Sequence, residues 1–128
     1  MNLMLNEWTE VRTLNEKYER QMKKGVLDML VLKLLEDEKK YGYQMIIELN
    51  EKSGGRFALK EGTLYPVLYR LEEDGLVESQ WSEAQEKKVP RKYYVITDKG
   101  KREFRQIKTL WQDICKSVAE VMEEKSDE

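Results

Sequence analysis

The chain has 128 residues, 38% of them charged and 40% hydrophobic, with no histidine, one cysteine (Cys115) and a formal charge of −2. At roughly 100 to 200 residues per domain, this length holds one domain with a helical appendage. The composition supports a core and argues against a membrane protein: no apolar run approaches the roughly 18 residues of a spanning helix, and Met1 to Leu5 lack the basic start of a signal peptide. A lone cysteine without histidine permits no disulfide within the chain, no zinc ligand set and no histidine general base. No metal, no cofactor and no enzymatic activity are therefore expected, and the chain reads as cytoplasmic.

Charge is segregated along the chain. Between Lys87 and Lys108 nine basic residues face only Asp98 and Glu103, whereas from Asp113 onward six acids face Lys116 and Lys125. Taken globally, the net charge argues against the polyanion binders that are basic all over, but the distribution matters more than the sum.

In chain order, Met4, Trp8, Val11, Leu14, Tyr18 and Met22 keep helical spacing and predict an N-terminal helix over 1–24. Gly25 interrupts it. Val26 to Leu35 is apolar around most of its circumference, as a helix buried from several sides must be. Glu36 to Lys40 reads as a turn, after which Tyr41-Gly42-Tyr43 opens a helix with Met45, Ile46 and Leu49 on one face, stopped by Ser53-Gly54-Gly55. A third core helix is predicted from about Gly62 to Asp74, with Leu64, Val67, Leu68 and Leu71 inward, Pro66 in its first turn and Gly75 closing it.

Two short β-prone runs, Leu76 to Trp81 and Lys92 to Thr97, predict a hairpin with a long polar tip. Thr97-Asp98 then caps a last helix over 98–128 that ends in an acidic tail. Along that helix Phe104, Ile107, Trp111, Ile114, Val118 and Val121 form a heptad seam. The fold class is mainly α with a small β-hairpin. Three helices followed by a hairpin, over 25–97, is the order of a winged helix-turn-helix, which offers its third helix to the DNA major groove. A terminal seam that so small a core cannot cover calls for a second copy or the N-terminal helix.

The run Glu61-Gly62-Thr63-Leu64-Tyr65-Pro66-Val67-Leu68, continued by Arg70-Leu71-Glu72-Glu73-Asp74-Gly75-Leu76-Val77, closely resembles the signature of PadR-type transcriptional regulators. So does Arg91-Lys92-Tyr93-Tyr94-Val95-Ile96-Thr97-Asp98-Lys99-Gly100, and Tyr41-Gly42-Tyr43 matches the same family. The resemblance spans about residues 25 to 104. It implies a homodimeric repressor of double-stranded DNA, paired through its last helix, with recognition helices in successive major grooves of a pseudo-palindromic operator.

On the third helix, a 100° step per residue puts Gly62, Tyr65, Pro66 and Tyr69 on the outer face, with Thr63 and Arg70 on its flank. Thr63 either touches DNA or caps the helix start, and Tyr65 and Tyr69 either meet DNA or pack on a neighbouring helix. Lys60 is placed to reach a phosphate. On the wing, Lys87, Lys88, Arg91 and Lys92 are candidates for phosphate or minor-groove contact, or else form a solvated tip. Tyr41 and Tyr43 are phosphate candidates by the resemblance, one of them alternatively packing in the core, with Tyr43 the more exposed.

For dimerisation the candidates are Trp8, Phe104, Ile107, Trp111, Ile114, Val118 and Val121. In some PadR-like relatives a tryptophan of the dimer helix and its two-fold mate sandwich flat aromatic compounds. Trp111 stands at a similar place, so the resemblance extends to an aromatic small-molecule effector held by Trp111 with Trp8, the plain alternative being dimer packing. Cys115 reads as a small packed residue. Two other classes stay open: a dimeric winged-helix interaction adaptor without operator recognition, which Glu61, Glu72, Glu73 and Asp74 near the recognition helix would suit, and a carrier or sensor of hydrophobic small molecules.

Overall fold

Nine residues from Leu27 to Leu35 form a helix of which six are buried, because apolar side chains stand at nearly every position and no single stripe would hide them. The other elements wrap around it. The computed structural model describes residues 2–83 and 89–123, without the side chains of 2–6, 8, 9 and 12. In chain order it contains α1 (Asn2–Lys24), α2 (Leu27–Leu35), β1 (Lys40–Tyr41), α3 (Gly42–Lys52), α4 (Glu61–Glu73), β2 (Val77–Trp81), β3 (Lys92–Ile96) and α5 (Asp98–Met122). Val31, Leu32, Leu68 and Tyr94 are wholly buried, and Met45, Leu64, Leu71, Val77 and Phe104 complete the centre of one cluster.

The three strands form an antiparallel sheet in the order β1-β3-β2. The expected hairpin is present, with Val77 opposite Ile96 and Trp81 opposite Lys92. Strand β1 is an addition, because Glu36 to Lys40 was expected as a turn and Lys40 instead pairs with Tyr94, and Tyr41 with Tyr93. Two residues are too few to show a period, so this strand leaves no pattern in the sequence.

Helix α4 begins at Glu61, so Pro66 lies in its second turn and not in the first. There it deprives the Gly62 carbonyl of its intrahelical donor. Gly62 and Pro66 both face solvent, so water can serve that carbonyl. The far end closes as expected: Gly75 adopts φ 76°, its N–H donates to the Glu72 carbonyl (3.0 Å), and Leu76 N–H donates to the Leu71 carbonyl (2.9 Å). This is the paired-bond termination that a left-handed C′ residue permits.

Thr97 then starts α5. Its Oγ1 accepts from Gly100 N–H (3.0 Å) and donates to the Gly75 carbonyl (2.7 Å), tying the start of one helix to the end of another. A Cβ at Gly100 would lie 2.1 Å from the Leu76 carbonyl oxygen, so this approach tolerates no side chain.

Beyond this anchorage α5 leaves the body. Phe104, expected in a dimer seam, is 4% exposed and belongs to the protomer's own core, and Ile107 is half-buried against that core. Every residue from 108 to 123 is exposed. The heptad spacing continues unchanged through this junction, so the first seam position faces its own protomer and the later ones face outward.

Candidate nucleic-acid interface

Helix α4 is fixed inward by Leu64, Val67, Leu68 and Leu71, all buried. A 100° turn per residue from that stripe leaves Gly62, Pro66, Tyr69 and Glu73 outward, and all four are exposed. Lys60 is the N-cap residue, exposed and contributing no side-chain cap. Thr63 lies inside the first turn and is exposed, so it does not cap the helix, and the Lys60 carbonyl accepts its N–H (3.0 Å).

Tyr65 departs from its expected place on the outer face. It is half-buried on the flank towards α3, where its hydroxyl occupies the space a Cβ at Gly42 would need, 2.6 Å away. Burial, then the charges of Glu61 and Tyr69, raise its pKa above the ordinary phenol value. Tyr69 stays outside at 55% exposure, its ring tilted 31° to that of Tyr65 with centroids 6.1 Å apart. Arg70 lies on the opposite flank, paired with Asp28 of α2, so its guanidinium is already engaged.

The start of α3 is held by a residue that the sequence reading placed in a turn. Lys40 is 5% exposed, and its Nζ donates to the Leu34 carbonyl at the end of α2 and to Glu48 Oε1 (3.2 Å). Burying a lysine is costly unless its charge is met, and here a carboxylate and a helix C-terminus meet it. Lys52 shares Glu48 at 2.8 Å, and together Lys52 and Lys40 hold the Glu48 carboxyl below its ordinary value against the opposing effect of burial.

This anchorage sets Tyr41 as the extended N-cap residue of α3, half-buried, with its ring edge-on to Tyr93 at 5.6 Å. The Arg91 guanidinium lies 4.7 Å from the Tyr41 centroid, and Lys39 Nζ lies 5.3 Å from that of Tyr93. Arg91, Tyr41, Tyr93 and Lys39 thus line one outer face of the sheet as alternating cations and rings. Neither Lys39 nor Tyr93 was among the sequence candidates. Tyr43, as expected, is the exposed one of its pair at 58%.

At the wing root the ladder runs one step past the strands: Ser82 N–H donates to the Arg91 carbonyl (2.8 Å) and Arg91 N–H to Ser82 Oγ (2.7 Å). Lys87 and Lys88 lie outside the described residues. Lys92 does not project with Arg91. It is half-buried on the opposite sheet face, its Nζ 5.6 Å from the Tyr69 centroid and 5.4 Å from that of Tyr94. Strand alternation places Lys92, Tyr94 and Ile96 on the same side, and that side is the core. Tyr94 itself is pushed up to about 12 by burial and then by Tyr69, Glu72 and Tyr65.

Helix α1 faces the far flank of α4 across a groove. Between α1, α2 and α4 runs an open groove of about 1020 Å³, with Leu27, Val67 and Ile107 along its floor and Glu19, Lys23 and Arg70 at its rim. Trp111 does not line it but sits on the outward face of α5 at 43% exposure, and the side chain of Trp8 is outside the described residues. Among the described residues no three potential ligands cluster to hold a metal ion, and no helix is long and apolar enough to cross a membrane.

The transcriptional regulator PadR-like family matches residues 31–106. The chain is similar to a PadR family transcriptional regulator from Eggerthella lenta, at 32% identity and a TM-score of 0.81, over 91% of this chain and 99% of that one. It is 31% identical to an uncharacterised protein of Lysinibacillus sphaericus over 78% of this chain and 91% of its relative. It is also similar to Bacillus subtilis PadR solved in complex with operator DNA, at 30% identity and a TM-score of 0.57, over 63% of this chain and 45% of that one.

Proposed function

The chain belongs to the PadR-like family of transcriptional regulators, which are not enzymes, and on that premise we propose that it is a homodimeric repressor that reads a pseudo-palindromic operator. The observation that carries the DNA reading is the outward face of α4: Gly62, Pro66 and Tyr69 stand clear of a helix whose inner stripe is packed, with Lys60 at its start. Tyr69, Thr63 and the open backbone at Gly62 meet base edges. Lys60, Tyr43, Arg91 and the wing lysines Lys87 and Lys88 meet phosphate, and the positive N-terminal end of α4 supports an anion beside Lys60. Arg70 belongs to this set only after it leaves Asp28. Tyr41 contributes by holding Arg91, and Tyr65 by filling the space over Gly42.

Pairing follows from α5, whose Trp111, Ile114, Val118 and Val121 form an outward apolar seam that one protomer leaves bare. Val11, Leu14, Tyr18 and Met22 offer a second such stripe on α1, and two α5 helices with two α1 helices make a closed four-helix interface. Domain organisation then follows function: 25–97 reads DNA, while 1–24 and 98–128 pair the protomers. A flat aromatic effector stacked between Trp111 and its two-fold mate, with Trp8 nearby, would change the spacing of the two recognition helices.

The test is equilibrium binding of the purified protein to duplex DNA selected from a random pool, at two salt concentrations and with random duplex as competitor. The proposal expects competitor-resistant binding that weakens steeply with salt, since each phosphate contact releases condensed counterions. Failure to enrich any sequence, with binding that random duplex removes equally well, contradicts it and favours the adaptor.

A further inference from the structure

The recognition helix and the wing strands meet through the shared core, where Leu68 and Leu71 join the same cluster as Val77, Tyr94 and Ile96, and at the edge of that contact one charged side chain of the wing reaches a ring of the helix. Lys92 leaves β3 on its core-facing side, and its ammonium lies near two tyrosine rings, Tyr69 of α4 and the fully buried Tyr94 of β3. Tyr69 is in turn stacked at a tilt on Tyr65, whose hydroxyl is seated over Gly42 at the start of α3. Around this chain of contacts Glu72 Oε2 and the Tyr94 hydroxyl are buried polar atoms without hydrogen-bond partners among the described residues. On the Tyr94 side the ammonium is screened from solvent by a wholly buried ring, which strengthens its attraction to the negative face of that ring.

We infer that Lys92 is a positioning residue for operator recognition: by bridging Tyr69 and Tyr94 it sets the angle between the recognition helix and the wing, and it does not contact phosphate. The inference rests on the operator-binding reading above but assigns this lysine a different part in it. Of the two adjacent wing-root cations, Arg91 stands on the outer sheet face and Lys92 on the inner one. The same charge therefore does different work at neighbouring positions. Without the Lys92 link the wing would still meet phosphate through its outer cations, but it would no longer hold Tyr69 in register with the bases.

Lys92→Met tests this, because it keeps an unbranched apolar stem up to the terminal carbon and removes the ammonium. Binding to the selected operator and to random duplex is measured across a salt series, with circular dichroism to confirm an intact fold. The inference expects about a tenfold loss of preference for operator over random duplex, with the salt dependence of random binding unchanged. A phosphate contact would instead weaken both duplexes alike and lower the salt slope by about one. That outcome, or no effect on either duplex, overturns the inference.

A second measurement needs no DNA. In the free protein, side-chain methylene protons of Lys92 should be displaced upfield by the two rings in proton NMR spectra, and the displacement should shrink in Tyr69→Leu. Random-coil positions in the unaltered protein overturn the bridge itself, whatever the operator result. An unaltered protein that shows no operator preference while its Lys92 protons are displaced defeats the operator reading and, with it, the role assigned to Lys92, but leaves the bridge standing.

Discussion

The winged-helix body and the two long helices that flank it both carry apolar residues at regular spacing but use them differently. In the body, apolar side chains of α2, α4 and β3 meet one another, and Leu32, Leu68 and Tyr94 lose all contact with solvent. On α5 beyond Ile107 and on α1, an equally regular stripe stays open, with Met22 at 72% and Val121 at 85% exposure. One region is a finished core and the other is an uncovered stripe. Folding of the body should therefore depend on single buried side chains, whereas the outer helices should decide only how many copies assemble.

The comparison can be broken at its strong end first. Leu32→Ala removes a fully buried side chain from the centre of the body and should cost about 2 to 5 kcal/mol, seen as a lower urea midpoint with an unchanged slope. A cost under about 1 kcal/mol would mean that the core is less tightly packed than its burial implies.

Next in size is an alkaline loss of stability. Tyr94 has an ordinary value of 10.0 and is pushed up to about 12 by burial and then by Tyr69, Glu72 and Tyr65. The folded state holds this proton when the unfolded chain has released it. The contribution is thus complete below the ordinary value and is lost as pH rises from there towards the folded value, at about 1.4 kcal/mol per unit. Tyr94→Phe should flatten that part of the stability profile, while equal profiles would mean that the hydroxyl titrates as an exposed phenol.

Smaller again is Thr97→Ala, which removes the cap of α5 and its bond to the Gly75 carbonyl. About 1 kcal/mol is expected from thermal unfolding, accompanied by fraying of the first turn in amide exchange. The smallest effect on the body should come from Val118→Asp. Placed on the open stripe, it should leave the body's far-ultraviolet spectrum unchanged while halving the sedimenting mass, and retained dimer mass would remove α5 from the interface.

Most of the architecture was legible because the helices carry full turns of periodic pattern. The buried stripe of α4, the Gly75 termination and the Thr97 cap were each visible as local chemistry, and the resemblance over about 25 to 104 lies close to the family match over 31–106. What escaped has physical reasons. Strand β1 is two residues long, and Lys40 is buried only because a carbonyl and Glu48 converge on it from elements distant in sequence. Phe104 looked like a seam residue because a heptad does not announce where a helix leaves its own core.

Lys92 is a different case, because the signal was present. Its alternation with Tyr94 and Ile96 placed it on the inner face, but its basic neighbours drew it into the wing's outer charge. The acidic residues near α4 have no such resolution in the sequence, where the adaptor reading remained open beside the regulator.

The most direct test of the central claim is the sedimenting mass of the protein, alone and with a selected operator duplex. The account predicts a dimer in solution and one dimer per duplex, with Val118→Asp sedimenting as a monomer and losing operator preference. A monomer that binds the same duplex equally well would contradict it, because the open helices would then have no part in reading DNA.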